Sequence, residues 1–467
     1  MLKYTETIQS LPPLYRELLT RKNRQAFLES GMTIIALDDD PTGTQTISDV
    51  PVLTGWDQIE IENMLQEGVP LFFILTNSRS LPENKAGKLA YIIGQNIKNA
   101  AEKIRKEVLV ISRGDSTLRG HYPIEVNTLG EGLGINGAAH ILIPAFFQGG
   151  RLTLNDIHYV RDGDNLIPAG ETPFARDYSF GYRSSNLRDY VEEKTKETIK
   201  AAEVVSISLD DIRNHGPERI AEILRNLQSR QVCIINAADQ SDLDVFSCGY
   251  YRARKQLQIP LLFRTAASII PSLAGVHVKP PLGKHQLISE GSGGLIAIGS
   301  YVPMTSRQLD FLKLHFPVDY IEIDVWKLMD DSAFKIETER ITARINANLE
   351  KNKVVVVYTS REVIKGNSPE ESLQVVNRVS AGMVESVKGI TVRPRFIIAK
   401  GGITSSDLLT KSLEVKKALV LGQIIPGVPV WRLDDSPKFP GLNYMPFPGN
   451  LGEDDALYRA VLKLVFE

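Results

Sequence analysis

The stretch TIIALDDDPTGTQT (residues 33–46) joins a short apolar run to three consecutive carboxylates and a Pro-Thr-Gly turn. Ile34, Ile35, Ala36 and Leu37 read as a buried strand, because an unbroken apolar run suits a strand covered on both faces. Asp38, Asp39 and Asp40 then stand at its carboxyl end. Adjacent like charges repel, so the fold must bring compensating groups to that point.

The same pattern recurs along the chain. Apolar runs at 71–75 (LFFIL), 108–111 (VLVI), 140–143 (HILI), 204–207 (VVSI), 232–235 (VCII) and 261–263 (LLF) alternate with longer stretches. Several of these, such as residues 82–106, carry helical periodicity. A second series follows at 295–299, 320–323, 354–358, 395–399 and 418–421. Strands alternating with amphipathic helices specify an α/β class built on parallel sheets. Between the two series, PSLAGVHVKPPLGKHQLISEGSGG (271–294) is rich in Pro and Gly and poor in periodicity, as a domain boundary would be. The expectation is two α/β domains with largely parallel sheets, 1–280 and 281–467, and a ligand cleft between them. Residues 14–30 read as a helix stopped at Gly31. Residues 148–185 read as a long excursion over the sheet top, and such ordered loops are often functional.

Composition narrows the classes. The 467 residues carry 54 Lys+Arg against 56 Asp+Glu, a net charge of −2 that gives no reason to expect nucleic acid or an anionic membrane as partner. Cys233 and Cys248 are too few for a disulfide framework or a zinc ribbon. No apolar run approaches 18 residues, and the N-terminal segment has no signal-peptide core, so a cytoplasmic protein is expected.

In open parallel sheets, ligands bind beyond the carboxyl ends of the strands. Four successive strand ends here carry groups that bond hydroxyls or carboxylates: Asp38–Asp40 with Thr42-Gly43; Thr76-Asn77-Ser78-Arg79; Arg113 to Gly120; and Gly149-Gly150-Arg151. Arg79, Arg119 and Arg151 offer planar forks for a carboxylate or phosphate. Each residue alone would serve equally as a helix cap. Four in succession favour a common ligand mouth.

Two patterns fit the carboxylates. Asp38, Asp40, Thr42, Gly43 and Thr44 resemble the haloacid-dehalogenase phosphatase signature, in which Asp38 would be the nucleophile. That chemistry also needs a later acidic pair, with another Asp four residues on, to hold magnesium. Arg119 stands in that place after Gly114-Asp115, and Pro168 after Gly163-Asp164.

The second pattern spans nearly the whole chain. DDPTG (39–43), TNSRS (76–80), DSTLRG (115–120), IPAFFQGGRLT (143–153), FRTAAS (263–268), GSYVPMTSRQL (299–309), AKGGITSSDL (399–408) and PGNLGEDDAL (448–457) occur in that order. Together they resemble the four-carbon acid sugar kinase family, most specifically in DSTLRG and GGIT. The chain departs from the family in Thr44-Gln45 after Thr-Gly, in Gly-Gly-Ile-Thr for Gly-Gly-Asp-Thr, in Arg113 for Lys, and in Phe447-Pro448-Gly449 for Lys-Ser-Gly. The resemblance implies a first domain that binds a sugar acid through Asp39, Asp40, Arg79, Asp115, Ser116, Thr117 and Arg119. It implies a second that binds ATP through Ser300, Gly401, Gly402, Ile403, Thr404, Gly449 and Asn450, and it favours a homodimer.

On this reading ATP arrives with Mg2+, a substrate hydroxyl attacks in line, and Asp115, or failing it Asp39, accepts the proton. A phosphatase using Asp38 and a non-catalytic sugar-acid sensor stand as alternatives. No P-loop or dinucleotide fingerprint is present. The seven histidines show no metal spacing, His140 lies against an apolar strand, and His121 stands next to the DSTLRG segment.

Overall fold

The computed structural model describes residues 2–361 and 369–465, which fall into two compact units. The first comprises residues 1–47 and 55–278, the second residues 48–54 and 279–467. The short segment 48–54 thus leaves the first unit and joins the second.

The main sheet of the first unit runs parallel through seven strands. Its strand order is Val205–Ile207, Val232–Ile235, Ala139–Ile143, Leu261–Thr265, Val108–Arg113, Thr33–Asp38, Leu71–Leu75. Every residue of Thr33–Asp38 is buried, as its unbroken apolar run requires. The next strand of this sheet along the chain, Leu71–Leu75, lies on one side of it, and the one after, Val108–Arg113, lies on the other. The carboxyl end of Thr33–Asp38 is therefore the topological switch point, where a crevice opens in this class of fold.

Helix Glu83–Ile104 covers one face. Its buried residues, among them Ala86, Ala90, Ile93, Ile97 and Ala101, recur at three- and four-residue steps. It packs backbone to backbone on helix Ile124–Leu133, and a Cβ on Gly94 would sit 2.7 Å from the Leu129 carbonyl oxygen.

The excursion after Ile143 contains an antiparallel sheet that periodicity did not reveal. Arg151–Leu154, Ile157–Asp162 and Asn165–Pro168 form it with Leu2–Lys3. The N-terminal helix begins at Thr20 rather than Leu14, after a shorter helix at Tyr4–Ser10.

In the second unit Leu442–Phe447, Phe396–Lys400, Gly294–Ile298, Val354–Thr359 and Asp319–Ile323 run parallel. Val428–Leu433, Lys417–Ile425 and Val50–Leu53 continue this order antiparallel. Three of these strands were absent from the apolar runs, and each contains a proline: Pro51, Pro429 and Pro446. Pro429 sits at a register shift, and Pro446 lies beyond the ladder with Val428–Leu433, which ends at Tyr444. There a missing N–H is tolerated.

Cys233 and Cys248 are free and buried. No helix among the described residues is long and apolar enough to cross a membrane.

A helix-interior Gly→Ala change ordinarily stabilises by up to about 1 kcal/mol. Gly94→Ala should instead destabilise, by about 1–3 kcal/mol, because its methyl must displace backbone rather than a flexible side chain. Urea denaturation checks this, and a stabilised variant would contradict the packing described.

Candidate functional site

The three carboxylates at the switch point are met by two guanidinium groups from the neighbouring strand ends. Arg113, the last residue of its strand, places Nη1 3.1 Å from Asp38 Oδ1 and 3.9 Å from Asp39 Oδ1. Arg79 donates from Nη2 to Asp39 Oδ1 at 2.6 Å and from Nε to Asp39 Oδ2 at 3.2 Å. Its Nη1 lies 3.5 Å from Asp40.

Asp38 is 1% exposed and its Oδ2 has no hydrogen-bond partner. Burial pushes its pKa up to about 7, against the pull of Arg113 and with the repulsion of Asp39 and Asp40 adding to the rise. Its carboxylate occupies the place where any Cβ on residue 43 would have to go, which is why Gly43 closes the turn.

The second element of the site is the loop Asp115–Gly120. Arg119 Nε donates to Asp115 Oδ2 at 2.7 Å, and the Thr117 hydroxyl bonds the same oxygen. Burial opposes ionisation of Asp115, but Arg119, Arg79 and Thr117 outweigh it and hold its carboxyl well below the usual range. Three successive carbonyls of this loop accept from buried side chains. His158 Nε2 reaches Ser116 O at 2.7 Å, Tyr182 Oη reaches Thr117 O at 2.7 Å, and Tyr190 Oη reaches Leu118 O at 2.9 Å. A carbonyl only accepts, so the His158 proton is on Nε2, and Thr153 Oγ1, 3.0 Å from Nδ1, donates to the ring. Burial lowers the His158 pKa to about 4, so it is neutral at pH 7. Leu118 has φ +66°, a strained value for a leucine that these bonds help to hold.

Arg264 supports both elements. It is buried, donates to Ser112 Oγ at 2.9 Å, and approaches Glu125 Oε2 at 3.3 Å. Its guanidinium lies against Gly114 and Gly120, where side chains would collide with it. Cavities of ≈ 300 and ≈ 280 Å³, open solvent included, flank it, one walled by Asp39 and Arg113, the other by Asp115 and Arg119.

Asp39, Asp40, Arg79, Asp115, Ser116, Thr117 and Arg119 are thus brought to one end of one sheet. Arg264 had a sequence signal, a charge inside the apolar run LLFRTAA; Tyr182 and Tyr190 had none. His140 is buried and loses its proton readily, with a pKa lowered to about 4. His121 Nε2 lies 2.9 Å from Leu81 O, and its ring stands edge-on to Phe180.

In the second unit, three neighbouring strand ends, Ile298, Lys400 and Phe447, lie in register. Their loops bring Ser300, Gly401–Thr404 and Gly449-Asn450 together. Gly401 N–H donates to Phe447 O at 2.9 Å, and Thr305 Oγ1 donates to Gly449 O at 3.0 Å. Gly401 has φ +112°, and a Cβ there would meet Ser300 Cβ at 2.8 Å. Gly402, Ile403 and Thr404 open the helix Gly402–Asp407, so their N–H groups have no intrahelical acceptor. Such a set of backbone donors suits an anionic ligand. Asn450 is exposed. Among the described residues, no group of three or more His, Cys, Asp or Glu side chains is placed to hold a metal.

Lys400, which the strand pattern hid at the end of RFIIAK, is wholly buried. Its Nζ donates to Pro448 O at 2.9 Å and stands 4.1 Å from the Phe447 ring centroid. Burial pulls its pKa down from 10.5 to about 7.

Two predictions follow from these charges. Arg113→Ala leaves buried carboxylates uncompensated and should destabilise by about 3–5 kcal/mol at pH 8. The loss should shrink toward pH 6, where Asp38 takes up a proton and needs Arg113 less; a pH-independent loss in urea titrations would contradict this. For Lys400 the native state binds fewer protons than the unfolded chain between pH 7 and 10.5. Its contribution to stability is therefore present above pH 10.5 and lost as pH falls to about 7. Relative to wild type, Lys400→Met should gain stability across that window as pH falls, with a plateau below it. Parallel urea midpoints for the two proteins from pH 6.5 to 9.5 would contradict it.

Two family models match the chain in succession. Residues 34–273 match the family model of a sugar-binding N-terminal domain, and residues 295–457 that of a nucleotide-binding C-terminal domain. The chain is 23% identical over 342 residues to a D-erythronate kinase of Heliobacterium modesticaldum, covering 70% of this chain and 71% of that protein. It is 24% identical over 340 residues to a D-threonate kinase of Salmonella typhimurium, covering 71% and 72%. Its fold is similar to solved structures of a Haemophilus influenzae protein (TM-score 0.60) and a Salmonella typhimurium protein (TM-score 0.66), each 17% identical. Each comparison spans 92% of this chain, with 100% and 98% of those chains respectively. With both domain models matched in order and the motifs gathered at two strand-end sites, the chain belongs to the four-carbon acid sugar kinase family.

Proposed function

We propose that this protein is an ATP-dependent kinase that phosphorylates a hydroxyl of a small sugar acid of the four-carbon aldonate or keto-aldonate class. The observation that carries the reading is the meeting of the Asp38–Asp40 turn and the Asp115–Gly120 loop at the switch point of the first unit. There carboxyl and guanidinium groups stand together in a form suited to a ligand with both hydroxyls and a carboxylate. Arg79 spends its donors on Asp39 and Asp40. Its role in this reading is to hold those carboxylates toward the sugar hydroxyls. Ser116, Thr117 and Arg119 line the same mouth.

The loops of Ser300, Gly401–Thr404 and Gly449-Asn450 take the nucleotide, with backbone N–H groups on its phosphates. ATP brings Mg2+ as a companion of those phosphates, neutralising charge as the phosphoryl group moves. Asp115 is the first choice of proton acceptor. Its carboxyl stays ionised far into acid, and in a loose phosphoryl transfer the base only has to be in place when the hydroxyl proton is released. Asp39 is the second choice.

The phosphatase alternative fits less well. A nucleophilic Asp38 would need an open approach, whereas its carboxylate is buried between Gly43 and Arg113.

A coupled assay of ATP consumption with C4–C6 sugar acids, beginning with D-erythronate and D-threonate, tests the proposal. Turnover should require both substrates. Asp115→Asn should lower kcat by about 10²–10⁴-fold while nucleotide affinity is kept, and Asp38→Asn should be milder. ATP-independent phosphate release with a dead Asp38→Asn would establish the phosphatase instead. Sugar-acid binding without turnover would leave a sensor.

A further inference from the structure

Arg151 is the one strand-end fork singled out in the sequence that the proposed reaction has not used. It follows the Gly149-Gly150 turn, and its backbone is tightly held. Phe146 and Arg151 exchange both backbone hydrogen bonds, at 3.0 and 2.9 Å, across the loop between them. Nη1 donates to the Gly149 carbonyl oxygen, and a side chain on Gly149 would collide with it. The guanidinium is thereby oriented by its own turn.

Its remaining donors are unspent. Nε is buried and has no hydrogen-bond partner, and among the described residues no carboxylate lies within 4 Å of the group. The other arginines of the site are committed: Arg79 to Asp39 and Asp40, Arg113 to Asp38, Arg119 to Asp115 and Asp177, Arg264 to Glu125. Arg151 also has a like charge for a neighbour. Arg119 and Arg151 share the Phe174 ring, with Cζ at 5.1 and 5.9 Å from its centroid. Burial disfavours the Arg151 charge, Asp115 favours it, and Arg119 disfavours it further. A half-buried guanidinium whose Nε is enclosed and unpaired, with another guanidinium beside it, is unfavourable unless an anion joins them. The edge left unpaired is the Nε side, since Nη1 is tied back to Gly149. That edge, Nε with Nη2, is the side-on fork that receives two oxygens of a planar carboxylate.

Building on the proposed kinase reading, we infer that Arg151 receives the carboxylate of the sugar acid, with Phe174 as the apolar wall beneath it, and so makes the enzyme select acids over the corresponding polyols. Selectivity of this kind arises because a polyol leaves the fork unpaired.

The test compares wild type, Arg151→Gln and Arg151→Lys. Calorimetry with the sugar acid and no nucleotide should show binding weakened roughly 10- to 100-fold in Arg151→Gln. Arg151→Lys should recover only part of it, since a point charge replaces the fork. Steady-state kinetics with the acid and with the polyol of equal carbon number should show the acid preference collapsing through KM for the acid. Equal losses for acid and polyol, a fall in kcat alone, or acid binding as tight as wild type would overturn the assignment. A fall in kcat alone would place the transferred phosphoryl group at Arg151 instead. If wild type binds none of the C4–C6 sugar acids, the kinase reading and this inference fail together. If wild type binds and Arg151→Gln binds equally, only the inference fails.

Discussion

Three consecutive carboxylates at the end of a fully buried strand are unfavourable unless cations meet them, and Arg113 and Arg79 do so from the two adjacent strand ends. The rest of the first unit follows from that compensation. Arg113 can reach Asp38 only because their strands are parallel neighbours in register. Arg79 can reach Asp39 only because the strand on the opposite side ends in a turn at the same level. Gly43 is required because the Asp38 carboxylate fills the space of its missing side chain. A buried ion pair of this kind adds little net stability compared with apolar packing, yet removing one partner is costly. Its worth lies in holding charged groups at a defined place.

The two units build their strand ends differently. In the first, charged side chains gather there and the loop between them is rigidified from behind. His158, Tyr182 and Tyr190 hold successive carbonyls of the Asp115–Gly120 loop, and Arg264 packs against its glycines. The excursion at 148–185 is thus a support for that loop. In the second unit the strand-end loops are joined through the backbone. Glycines at 401 and 449 let these loops approach closely, the N–H groups of Ser300 and Gly401 donate to the Lys400 and Phe447 carbonyls, and the Lys400 side chain bonds the Pro448 carbonyl beneath them.

Much of this was legible in the sequence, for a local reason. An unbroken run such as Ile34 to Leu37 suits burial on both faces of a parallel sheet with helices on each side, and in that architecture the polar residues after each run gather at the carboxyl ends of the strands. Asp39, Arg79, Asp115 and the Gly401-Gly402 loop could therefore be placed at strand ends by position alone. The hidden parts depend on distance in space. Pro51, Pro429 and Pro446 disguise strands, and at Pro429 and Pro446 a register shift and a ladder end tolerate the missing donor. Tyr182 and Tyr190 resemble any core aromatic until their hydroxyls are seen on the loop carbonyls.

The sequence by itself determined the α/β class, the order of the strand-end motifs and the need for countercharge at Asp38–Asp40, because apolar runs, glycines and charge are local properties. Only the tertiary structure decided which arginine answers which carboxylate. Arg79 and Arg113 are taken up by Asp38, Asp39 and Asp40, Arg119 by Asp115 and Arg264 by Glu125, while Arg151 Nε has no partner. Pairing is a matter of a few ångströms across strands far apart in the chain, and no local pattern records it.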